Sequence, residues 1–198
     1  ESNMDSVNIA RTKFIGNKYE EASFIHNAHS YFDFDECIVD SNYVYNFIYS
    51  GQGQINVSNS SFVGNMSRIL ILCPNSGDAY SFGTGVTLKN NTFVNNIIKE
   101  SLFDGYYSKS TIVNNTIVGN SSEMYLFGRL LSKNASVIGN ILFGNINGQQ
   151  QAYSGDLHKI AIDIFENNIM ALDTSIIDGT VLSETNIISD FSFDEKVK

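Results

Sequence analysis

The chain has 198 residues, 42% of them hydrophobic and 17% charged, with a net charge of −9. That apolar share excludes a disordered acidic tail, and 12 Lys and Arg against 21 Asp and Glu exclude a phosphate-binding stripe, so no nucleic-acid partner is expected. Two cysteines, Cys37 and Cys73, cannot scaffold a chain of this length; they could pair with each other, and the plainer reading is two free buried thiols, while the lack of any apolar run of membrane-spanning length predicts no membrane insertion by this segment.

Short phrases recur along the chain. FIGN ends at Asn17, CIVD at Asp40, FVGN at Asn65, FVNN at Asn96, IVGN at Asn120 and LFGN at Asn145. The successive spacings are 23, 25, 31, 24 and 25 residues, a period near 24 with one insertion. Three residues before each end point stand Phe14, Cys37, Phe62, Phe93, Ile117 and Leu142, all apolar. Five before stand Thr12, Asp35, Ser60, Asn91, Asn115 and Asn140, all small and polar. Eight before stand Ile9, Phe32, Val57, Leu88, Ile112 and Val137. Seven after the first five end points stand Phe24, Phe47, Leu72, Phe103 and Phe127.

These columns mark three short segments per repeat, rich in β-branched and aromatic residues, and each reads as a strand. Frequent Asn and Gly and the lack of a 3.6-residue period argue against helices. Three strands per repeat of about 24 residues describe one coil of a parallel β-helix, in which a coil buries its apolar side only against its neighbours. The expected architecture is all-β, a solenoid of roughly seven to eight coils, over a single domain at 1–198 that is a segment of a longer chain, with degenerate coils over 146–198.

The chain holds 24 Asn, and the repeat explains them. Corners between strands need residues that tolerate left-handed backbone geometry, and Gly and Asn do so best. A recurring corner amide can also bond to the coils on either side. The columns Asn17, Asp40, Asn65, Asn96, Asn120, Asn145 and Asn91, Asn115, Asn140 are therefore expected to form structural ladders. The N-x-S/T patterns at Asn59, Asn65, Asn90 and Asn134 are read as accidents of the same repeat. The insertion Cys73–Gly85 and the stretch Gln149–His158 are expected to leave the stack as loops, where function is commonly carried.

The phrases VTLKNNTFVNN (Val86–Asn96), STIVNNTIVGN (Ser110–Asn120) and NASVIGNILFGN (Asn134–Asn145) resemble right-handed parallel β-helix repeats of the pectate-lyase-like superfamily. GQGQINVSNSSFVGN (Gly51–Asn65) and GTGVTLKNNTFVNN (Gly83–Asn96) are similar to units of bacterial surface proteins of the polymorphic-outer-membrane-protein and choice-of-anchor type. The resemblance implies a right-handed β-helix on a bacterial cell surface or secreted. It implies a noncatalytic adhesin-like module that binds carbohydrate or a host or cell-surface protein and needs no cofactor.

The superfamily also contains polysaccharide lyases and glycoside hydrolases, and under that alternative Asp33, Glu36 and Arg68 are the candidate catalytic groups, with calcium as the cofactor. No second carboxylate is singled out for a glycosidase pair, although Asp163 with Glu166 and Asp156 with His158 are available. No cysteine or third histidine accompanies His26 and His29 in this stretch, and surface histidines at a strand end are the plainer reading. The binding candidates are Tyr43, Tyr45, Tyr49, Tyr106 and Tyr107, whose rings combine an apolar face with a polar edge. The competing reading is that these rings only cover neighbouring coils.

Overall fold

The computed structural model describes residues 6–27, 30–51, 53–73, 85–105, 109–123, 125–127, 135–147, 162–171 and 187–189. The first coil is β1 (Ser6–Ala10), β2 (Lys13–Ile15) and β3 (Lys18–Asn27). The second is β4 (Tyr31–Asp35), β5 (Ile38–Asp40) and β6 (Tyr43–Ser50); the third is β7 (Gln54–Ser58), β8 (Ser61–Val63) and β9 (Met66–Leu72). The fourth is β10 (Gly85–Lys89), β11 (Thr92–Val94) and β12 (Ile97–Asp104). Then follow β13 (Lys109–Val113), β14 (Thr116–Val118), β15 (Ser121–Ser122), β16 (Tyr125–Phe127), β17 (Ala135–Ile138), β18 (Ile141–Phe143) and β19 (Ile146–Asn147). The last described strands are β20 (Ile162–Glu166), β21 (Ile169–Ala171) and β22 (Ile187–Ser189).

Among the described residues, corresponding strands stack in parallel into three sheets of seven, eight and seven strands, the architecture of a parallel β-helix. Among the described residues, four coils carry all three strands at full length, fewer than the seven to eight expected. Beyond β12 the third-sheet strands shorten to two or three residues.

The core is a stack of inward side chains. Phe14, Phe34, Phe62 and Phe93 follow one another from coil to coil, with centroids 5.8, 5.9 and 4.9 Å apart. Phe47 stacks on Phe24 at 5.5 Å and meets Phe14, Phe34 and Phe62 edge-on. Cys37 and Cys73 are free and buried, and burial pushes the Cys37 thiol up from its ordinary value.

Among the described residues, a coil turns two sharp corners between its strands, and a left-handed residue sits at each of those described. The first corner carries Arg11, Glu36, Asn59, Asn90, Asn114, Gly139 and Asn167; the second carries Gly16, Ser41, Gly64, Asn95, Gly119 and Gly144. Behind each corner runs a ladder of buried amides. At the second corner, Asn17, Asn42, Asn65, Asn96, Asn120 and Asn145 follow one another, the backbone N and Nδ2 of each donating to Oδ1 of the next at 2.8–3.0 Å. From Asn42 onward, Nδ2 also donates to a backbone carbonyl of the previous coil. An amide in mid-ladder thus uses both donors and both acceptor lone pairs. The first-corner ladder runs through Ser60, Asn91, Asn115, Asn140 and Asn168 in the same way.

The second coil corrects the sequence alignment. The ladder residue is Asn42, not Asp40, which ends β5 and pairs with Ile15 and Val63. Val39 therefore shares the column of Phe14 and Phe62, Phe34 rather than Phe32 shares that of Ile9 and Val57, and Cys37 takes the corner position assigned to Asp35. The third-sheet column is also shifted. Phe47 lies in the column of Leu70, whereas Phe103 stands beside Ile71 and Phe127. The cause is a pair of register shifts, one in β3 between Tyr19 and Ser23 and one in β12 between Ile98 and Ser101.

Candidate functional site

The two register shifts matter because they bracket one place on the outer face of the third sheet. Against Val44–Asn46, β3 spends extra residues at Glu20–Ala22; against Ser67–Ile69, β12 spends one extra residue at Lys99–Glu100. Bulges of this kind bend strands and re-aim side chains. Val44 and Phe47 both belong to the core, so the inward parity of β6 also changes, between Tyr45 and Phe47. At this step lies a groove of about 400 Å³, lined among others by Tyr43, Tyr45, Met66, Arg68, Ile97 and Lys99.

Two files of side chains cross the groove along the stack. The apolar file is Tyr43, Met66 and Ile97, neighbours in register and 40%, 42% and 54% exposed. The mixed file runs through Tyr45 and Arg68 to Lys99, with Glu20 and Glu123 also on the groove wall. Arg68 Nε donates to Glu100 Oε1 at 2.6 Å, and its guanidinium lies 5.2 Å over the Tyr45 ring. Lys18 Nζ bonds Glu20 at 3.0 Å and sits 5.3 Å over the Tyr43 ring. The hydrogen bond and charge of Glu20 raise the Lys18 ammonium above its ordinary value. At the same step, Asn46 Oδ1 and Ser67 Oγ are buried without a hydrogen-bond partner. Each such group costs about 1–3 kcal/mol, which sets this place apart from the satisfied ladders.

The other candidates fall elsewhere. Asp33 lies on the outside of β4 in the first sheet and accepts a hydrogen bond from Asn56 Nδ2 at 2.7 Å. Glu36 is an exposed corner residue with φ 53°. Arg68 is on the third sheet, so these three sit on different parts of the coil and are not brought together. Next to Glu36, Asp35 accepts from Ser58 Oγ at 2.6 Å and Asn59 Nδ2 at 2.8 Å, which lowers its carboxyl below the ordinary value.

Tyr43 and Tyr45 line the groove. Tyr49 lies further along β6, half-buried, with its ring edge-on to His26 at 4.6 Å. Tyr106, Tyr107, His29, Asp156, His158 and residues 74–84 and 149–158, where loops were expected, lie outside the described residues, as does the side chain of Asp163. Glu166 ends β20 and is exposed. Among the described residues, no group of three His, Cys, Asp or Glu side chains converges. Sequence reasoning missed Met66, Ile97 and Lys99. Their signal was outward placement beside Tyr43 and Tyr45, which only the strand register reveals. No family model and no curated protein matches the chain.

Proposed function

We propose that this chain is a noncatalytic β-helix module of a bacterial cell surface or secreted protein, adhesin-like, and that its third-sheet groove holds a glycan or protein partner. The observation that carries the reading is the groove itself. It joins exposed Tyr43, Tyr45, Met66 and Ile97 with a charged rim, on strands held in place by two amide ladders. Tyr, Met and Arg are the residue types that interfaces favour, and a rigid scaffold lowers the cost of ordering a site. The scatter of Asp33, Glu36 and Arg68 over different faces weighs against the lyase or hydrolase alternative, which needs its acidic and basic groups along one face.

The test is binding of the whole chain to a glycan array and, by biolayer interferometry, to a panel of extracellular-matrix proteins. Binding in at least one format, lost in Tyr45→Ala, is the expected result. Silence in both formats, or binding that Tyr45→Ala leaves intact, would overturn the assignment.

A further inference from the structure

Resting on that reading, we infer that the groove takes a protein rather than a sugar: an apolar side chain seated on Met66 and Ile97, with a neighbouring carboxylate facing Lys99. The rings decide against a sugar platform. In a stacked coil, outward side chains lean on their neighbours along the axis. Here the Lys18 ammonium lies over Tyr43 and the Arg68 guanidinium over Tyr45. A cation already occupies one face of each ring, the kind of surface that a sugar would stack on.

The floor decides for an apolar anchor. Met66 and Ile97 are adjacent in register and 42% and 54% exposed, and neither side chain offers a strong hydrogen-bonding group to a hydroxyl-rich ligand. A flexible thioether beside a branched aliphatic is a surface that repacks around an aliphatic or aromatic side chain.

Charge complementarity decides the flank. Lys18 is held by Glu20 and Arg68 by Glu100. Lys99 lines the same groove, is exposed, and forms no ion pair among the described residues. Glu123, one coil further on, is likewise exposed and forms no ion pair among the described residues. A partner therefore gains by presenting a carboxylate to Lys99, with any basic residue placed toward Glu123. Such rim charges set selectivity and association rate more than raw affinity.

Panning a phage-displayed random-peptide library on the whole chain tests this, with recovered peptides measured by interferometry. The expected consensus pairs a large apolar residue with Asp or Glu. Ile97→Ser should weaken those peptides about thirtyfold, the onset of a hot-spot loss, and Lys99→Glu should turn the acidic preference basic. Both side chains are exposed, so the variants keep the core, and unchanged circular dichroism checks that. A consensus without acidic residues, or one unchanged by Lys99→Glu, would overturn the inference. Glycan-array binding lost in Tyr45→Ala, with no peptide recovered, would overturn it too while leaving the binding-module reading standing. Silence with peptides, glycans and matrix proteins alike would overturn both.

Discussion

Replacing Asn96 by alanine tests the ladder at its centre. Asn96 is fully buried, and its side chain makes four hydrogen bonds. Oδ1 accepts from Asn65 N at 3.0 Å and from Asn65 Nδ2 at 2.9 Å; Nδ2 donates to Asn120 Oδ1 at 2.8 Å and to Phe62 O at 2.9 Å. Not all of these losses weigh equally. Asn65 Nδ2 keeps Val39 O, and Asn120 Oδ1 keeps Asn96 N. The backbone N–H of Asn65 loses its partner inside the core, whereas the carbonyl of Phe62 keeps the sheet bond that the β8–β11 pairing gives it. One stranded donor gives a loss of about 1–3 kcal/mol, a sizeable part of the total stability of an ordinary domain.

Asn17→Ala is the control. It stands at the end of the ladder, half-buried, and its side chain gives up one donor bond, to Asn42 Oδ1 at 2.8 Å. About 0.5–1.5 kcal/mol is expected there. Urea melts followed by far-ultraviolet circular dichroism measure both, and amide hydrogen exchange guards against loss of two-state behaviour in a stacked array. Equal losses in the two variants, or a loss below 1 kcal/mol at Asn96, would refute the reasoning. Asn96→Asp sharpens the test. Its carboxylate would face Asn120 Oδ1 and Phe62 O, two acceptors, so burial and repulsion raise its folded pKa. Stability is then greatest below the unfolded value of about 3.9 and is lost as pH rises through the raised value.

Other outcomes follow from the same geometry. Phe93→Ala removes a fully buried ring stacked on Phe62 at 4.9 Å and should cost about 3–5 kcal/mol in urea melts. Glu36 holds a left-handed φ of 53° that Asn59, Asn90 and Asn114 hold in later coils; Glu36→Asn should raise stability by about 1 kcal/mol, read as a higher urea midpoint. Asp35 is lowered by its bonds to Ser58 and Asn59. Its contribution is present above the unfolded Asp pKa of about 3.9 and fades as pH falls through the lower folded value, so Asp35→Asn should flatten the acid limb of the stability profile.

The fold was legible because each coil repeats its own physics: apolar residues inward, Asn or Gly at corners, a ladder amide behind. The second coil shows where that legibility ends. Side chains alternate faces with period two, so a one-residue slip is obvious and a two-residue slip changes no side chain's face. Cys37 and Val39 are both apolar and both buried, as are Phe32 and Phe34. Hydrophobicity alone could not separate Asp40 from Asn42. Side-chain chemistry does separate them, because a mid-ladder position must donate two bonds as well as accept two, and a carboxylate only accepts.

The groove was half legible for a related reason. Tyr43 and Tyr45 stood out by residue type, but a site on a solenoid face is assembled from side chains about one coil apart in sequence, joined only by register. Tyr43 reaches Met66, and Met66 reaches Ile97, through strand pairing. The bulges that break the register at Glu20–Ala22 and Lys99–Glu100 are single departures from a repeat, and a periodic reading averages them away. Yet those departures lie beside the unpaired Asn46 Oδ1 and Ser67 Oγ. Where the ladders satisfy every amide, the stack is scaffold; where register, parity and hydrogen bonding all fail together, at Tyr45 and Arg68, the sequence has spent stability on a shape. That coincidence makes the third-sheet step, rather than the acidic corner near Asp33, the first place to look for a partner.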